Sequence, residues 1–133
     1  MTSRISPARL AAFGILRRVE DGAYSSILLA EKENDLDARD RSLCHELVMG
    51  VLRRQSWLDR LADHFLKRST SSLDVEVRLI LRLGLYQLRF LTRVPPSAIV
   101  NDSVNLAHHA RLRSAGALIN AVLRRASRET EID

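Results

Sequence analysis

Lysine is nearly missing from this chain. Of its 21 basic residues only Lys32 and Lys67 are lysines, and the rest are arginines. Arginine grips phosphate bidentately and stacks on bases, whereas lysine offers only a point charge. A genome rich in G and C also raises arginine, so the distribution matters more than the total. Cysteine is as scarce. Cys44 stands alone, so no internal disulfide forms and a reducing, cytoplasmic setting is expected. The N-terminus lacks the long apolar run of a signal peptide, and no charge-free apolar span reaches the ~18 residues of a transmembrane helix. Five glycines, at positions 14, 22, 50, 84 and 116, are too scattered to build a cofactor-gripping turn, so no cofactor is expected. Cys44-His45 and His108-His109 are sequence neighbours, which on a helix point about 100° apart. They lack the separated ligand pairs of a structural metal site, and none is expected.

What is present fits a single domain over residues 1–133. A chain of this length buries roughly two thirds of its unfolded surface. Its apolar fraction of 46% and charged fraction of 28% are ordinary. The net charge of +5 is unevenly spread. Residues 1–18 hold Arg4, Arg9, Arg17 and Arg18 with no acid, and residues 19–40 hold seven acids against Lys32 and Arg39. Residues 78–128 hold nine arginines against Asp102 alone. One acidic segment between two basic ones makes a one-sided field, and a polyanion is the expected partner.

Apolar spacing predicts helices throughout, in an all-α bundle of about seven. Ser6-Pro7 reads as an N-cap and first helical residue, with Gly22 closing that helix. A short helix over Tyr24 to Glu33 turns Ile27, Leu28 and Leu29 inward. Asp37 caps a third helix that runs to about Arg54, and Ser56 to Leu66 makes a fourth. The stretch 74–92 is apolar on almost every side, which predicts a buried central helix. Arg78, Arg82, Arg89 and Arg93 fall on one narrow stripe of it, an expected solvent-facing edge. Gly84 within it, and Gly50 in the third helix, predict close helix crossings. Val94-Pro95-Pro96 breaks the central helix. Two further helices, Ser97 to Ala110 and Ala115 to Arg128, are joined by Arg111-Leu112-Arg113-Ser114. Asp59 and Asp63, one turn apart beside Arg60, read as a solvated face, and His64 as a surface residue. Cys44 reads as a core cysteine, Tyr86 and Trp57 as core aromatics.

LRLGLYQLRFLTRVPPSAIVNDSVNLA (Leu81 to Ala107) and LINAVLRRASRE (Leu118 to Glu129) resemble the NusB-like RNA-binding domain. DARDRSLCHELVMGVLRRQSWLD and the opening ARLAAFGILRRVEDGAYSSILL agree, so the resemblance covers nearly the whole chain. Two branches share the fold. One is the free-standing antitermination factor, which binds a leader element of ribosomal RNA transcripts together with a small-subunit ribosomal protein and transcription factors. The other is the N-terminal domain of RsmB-type rRNA cytosine-5 methyltransferases. Gly84 and Gln87, Val94-Pro95, and Ala121 with Leu123-Arg124-Arg125 lean to the second branch, and the length leans to the first.

The resemblance implies a non-enzymatic RNA-binding protein, acting in antitermination or ribosomal RNA biogenesis. Cytosine-5 methylation needs a nucleophilic cysteine, and core-bound Cys44 does not offer one. The basic N-terminus and first helix of the family lie on RNA, which corresponds here to Arg4, Arg9, Arg17 and Arg18. Arg78, Arg82, Arg89, Arg111 and Arg113 are expected to extend that surface. Asn101 and Asn120 are expected either to satisfy backbone groups near helix ends and crossings or to contact RNA or a partner. An RNA-docking role for a longer methyltransferase and a protein-interaction scaffold stand as alternatives.

Overall fold

The computed structural model describes residues 5–129. Seven α-helices span them: α1 Pro7–Glu20, α2 Ser25–Lys32, α3 Ala38–Arg53, α4 Gln55–Leu66, α5 Val75–Phe90, α6 Pro96–His109 and α7 Gly116–Arg128. Single 3-10 turns, Thr70–Ser72 and Arg113–Ala115, lie before α5 and α7. Among the described residues there is no strand, and no helix is long and apolar enough to cross a membrane.

The helix ends follow local chemistry. Asp37 accepts from the Asp40 backbone N–H at 2.8 Å and so caps α3. Ser6 precedes Pro7, but its side chain makes no cap bond. Its backbone N–H donates instead to Asp102 Oδ2 at 3.3 Å, which ties the start of α1 to α6. Gly22, with φ +99°, closes α1: its N–H donates to Val19, and the Ala23 N–H reaches back to the Arg18 carbonyl. This is the doubly bonded C-terminal motif that favours a left-handed glycine.

α5 is the axis of the bundle and packs against α1, α3, α4, α6 and α7. Leu79, Ile80, Leu81, Leu83 and Leu85 are all buried, so its middle turns leave no face to water. Each such side chain contributes about 1.5–3 kcal/mol through burial. Both predicted crossings are present. A β-carbon on Gly84 would lie 2.7 Å from Leu123 Cδ1 of α7 and 3.2 Å from Ser103 Oγ of α6. One on Gly50 would overlap the Tyr86 phenol ring.

The expected arginine edge on α5 does not form. Arg82 is only 4% exposed, Arg78 and Arg89 are half-buried, and Arg93 lies beyond the helix end. The spacing was right for a stripe, but α4 and α1 bring carboxylates against it. Asp59 and Asp63 are likewise not simply solvated: Asp59 holds Arg82, and Asp63 Oδ1 accepts from the Thr70 N–H at 2.7 Å. In α2 only Leu28 is buried and Leu29 is half-buried, while Ile27 is 56% exposed rather than inward. Two turns of helix seat one narrow face between α1 and α3. Clefts of roughly 370 and 410 Å³ flank it, one walled by Cys44 and Met49, the other by Leu10 and Ile15.

Candidate nucleic-acid interface

The predicted arginines divide into braces and outward-facing groups. Arg82 is the strongest brace. Its Nε and Nη2 donate to the two Asp59 oxygens at 2.7 and 2.9 Å, a bidentate pair, and Glu20 Oε2 lies 3.8 Å from Nη1. Three helices, α1, α4 and α5, therefore meet on one guanidinium. Arg9 is also turned inward, at 9% exposure. Its Nε donates to Gln87 Oε1, and Nη1 lies 3.5 Å from Asp102 Oδ2. Gln87 in turn donates to the Leu83 carbonyl at 3.0 Å.

Arg17 and Arg18, at the end of α1, face outward with partial partners. Arg17 donates to Asp21 at 3.1 Å and to Glu76 at 3.3 Å, and these hydrogen bonds raise its pKa above the ordinary arginine value. Exposed Arg18 lies 3.5 Å from Glu31. Arg78 keeps a buried Nε with no hydrogen-bond partner among the described residues. Arg89 sets its guanidinium 5.8 Å from the Trp57 ring centroid. Arg4 lies outside the described residues.

Arg111 and Arg113 are exposed at the α6–α7 joint. The backbone here repeats the motif that ends α1: the Arg111 N–H donates to His108, and the Leu112 N–H reaches the Ala107 carbonyl at 2.8 Å. The left-handed position is Gly22 in α1 but Arg111 in α6, at φ +62°. A side chain in that conformation costs roughly 1–2 kcal/mol. The fold thus keeps a guanidinium at a corner where glycine is easier. Lys67, at φ +60°, likewise places an ammonium in a left-handed corner at the end of α4.

A cluster the sequence reading passed over lies where α3, α4 and α5 converge. Exposed Arg54, the hinge residue between α3 and α4, sits 4.4 Å over the Phe90 ring. Phe90 is 38% exposed and contacts Tyr86 at 5.0 Å and half-buried Trp57 at 5.9 Å between ring centroids. The available signals were the Arg53-Arg54 pair at a helix end and an aromatic as the last residue of a core helix.

Two further chemistry-bearing groups are buried. Cys44 is buried, and burial pushes its thiol pKa up. Tyr86 is buried, and its pKa is raised first by burial and then by Glu46, whose Oε2 lies 3.5 Å from the hydroxyl. Asn120 accepts from Arg124 at 3.0 Å rather than from backbone, and Asn101 is exposed. His64 is exposed, edge-on to Phe65.

Residues 6–128 match the model of the NusB family. The chain is 40% identical over 127 residues to the probable ribosomal RNA small subunit methyltransferase B of Synechocystis sp.. That match covers 93% of this chain and 28% of the relative, so the chain spans less than a third of such relatives. Among solved structures, T. maritima NusB superposes with a TM-score of 0.82 at 22% identity, over 95% of this chain and 94% of that one. NusB from Aquifex aeolicus gives 0.74 at 27% identity, over 95% and 90%.

Proposed function

The chain belongs to the NusB family, and we propose that it is a non-catalytic RNA-binding module that docks ribosomal RNA for an enzyme of the small-subunit methyltransferase B type. The observation that carries the RNA reading is a surplus of outward guanidinium. Arg53, Arg93, Arg111 and Arg113 are exposed, and among the described residues none has a carboxylate within 4.0 Å. Phosphate is the chemistry such groups serve best. Arg111 and Arg113 at the α6–α7 joint, Arg17 and Arg18 at the end of α1, and Arg4 form the contact set. Arg78 and Arg89 add positive charge along α5, while Arg9 and Arg82 hold the helices together. The identity of 40% to a small-subunit rRNA methyltransferase, against 27% to NusB from Aquifex aeolicus, favours the docking role. The second reading, an antitermination factor acting with a small-subunit ribosomal protein in the cytoplasm, rests on the 27% identity to NusB from Aquifex aeolicus.

Electrophoretic titration against a small-subunit rRNA fragment, an antiterminator-type leader RNA and a scrambled control, at two salt concentrations, tests both readings. Binding is expected to weaken steeply with salt and to favour the rRNA fragment. The Arg111→Gly/Arg113→Gln variant lowers the logarithmic salt slope by about 1.4, two single-strand phosphate contacts. Because Arg111→Gly relieves a strained backbone, lost affinity in that variant does not come from unfolding. Binding that ignores salt, or that is absent below millimolar, would overturn the RNA reading. Preference for the leader RNA would select the second reading.

A further inference from the structure

Phosphate contacts do not distinguish a single strand from a duplex; that needs a surface on which an unpaired base can lie flat. At the α3–α4–α5 junction an exposed ring lies under an exposed guanidinium. Arg54 is held from both sides, because it ends α3 and starts α4. Its guanidinium rests 4.4 Å from the Phe90 centroid, and Phe90 is braced by Tyr86 and Trp57. Arg54 remains exposed, and among the described residues neither it nor exposed Arg53 has a carboxylate within 4.0 Å. A guanidinium already lying on a ring has lost much of its rotamer freedom, so stacking a base on its outer face costs little further ordering. Arg53, next in sequence, supplies a cation for the adjoining phosphate. The patch suits a base better than an apolar helix, since Phe90 is its one exposed large hydrophobic residue and arginines border it.

We propose that the Arg54–Phe90 pair is a stacking platform for one unpaired base of the bound RNA, with Arg53 on the neighbouring phosphate. This rests on the RNA reading above and adds a second contact area to it.

Trp57 is the only tryptophan, so its fluorescence reports on the platform directly. The whole chain is titrated with a single-stranded oligoribonucleotide, the same strand carrying abasic riboses, and a duplex. Saturable change in Trp57 emission is expected with the single strand and not with the other two. Phe90→Ala is expected to weaken single-strand binding roughly tenfold while leaving the salt slope unchanged. Arg54→Gln weakens it similarly, and Arg53→Gln lowers the slope by about 0.7. Phe90→Leu keeps apolar bulk without a ring and must behave like Phe90→Ala, with thermal melting confirming that each variant is folded. Equal affinity for the abasic strand, or wild-type affinity in either Phe90 variant, overturns the platform while leaving RNA binding intact. So does a Trp57 response to a protein partner alone. Absence of any RNA binding removes both this inference and the reading beneath it.

Discussion

A buried guanidinium stabilises a fold only while its carboxylates stay in place, and Arg82 is such a group. Its side chain is 5% exposed, that of Asp59 30% and that of Glu20 28%, so the cation is far more desolvated than its partners. Removing a partner therefore strands a charge that water cannot reach. Asp59→Ala is expected to cost about 3 kcal/mol, the low end for a broken buried pair because Glu20 remains 3.8 Å away. Urea denaturation measures this, and a loss below about 1 kcal/mol would mean that Arg82 escapes to solvent. The folded variant should bind RNA as before. Arg9 shows the same inward turn for a different reason: Gln87, itself buried, needs a donor for its carbonyl oxygen, and Arg9 Nε supplies one.

Helices here were legible because their signals are local. The Asp37 cap, Gly22 in its left-handed turn, the Pro95-Pro96 break and the all-round apolar pattern of α5 each act within a few residues. Partners of the arginines were not legible, since Asp59 is 23 residues from Arg82, and Gln87 and Asp102 are 78 and 93 from Arg9. Arginine spacing gave a stripe without saying what would pack against it. The α6–α7 joint shows the opposite case, where Arg111 and Arg113 are exposed as expected because a loop between helices has nothing to bury them. Glycine crossings were foreseen in kind but not in partner, and the partners set their tolerance. Gly84 meets the tips of Leu123, which can shift a little, whereas Gly50 meets a rigid phenol ring. Gly84→Ala is expected to lose about 1 kcal/mol, because better helix propensity offsets part of the overpacking. Gly50→Ala should lose more, about 2–3 kcal/mol. Chemical denaturation of the two variants checks that order, and the reverse order would refute the crossings as described.

At the scale of the whole molecule, two buried groups set the sign of one alkaline contribution to stability. Burial raises the pKa of both Cys44 and Tyr86, so the native state prefers their protonated forms more than the unfolded chain does. That preference contributes fully below the ordinary thiol value of 9.0 and is lost as pH rises through the raised values. Their share of the stability is thus constant from pH 7 to about 9 and declines above. Cys44→Ala should blunt the first part of the decline in a series of thermal melts; an unaltered profile would assign the alkaline loss elsewhere. The segregation of charge acts at this scale too. Acids crowd the segment from Glu20 to Asp40, around α2, while Arg93, Arg111 and Arg113 stand outward elsewhere. A particle polarised in this way experiences a torque near a phosphate chain and swings round before first touch. Arg17 and Arg18, paired with Asp21, Glu76 and Glu31, sit at the border of the acidic segment, so an arriving strand must displace those carboxylates before it can grip the end of α1.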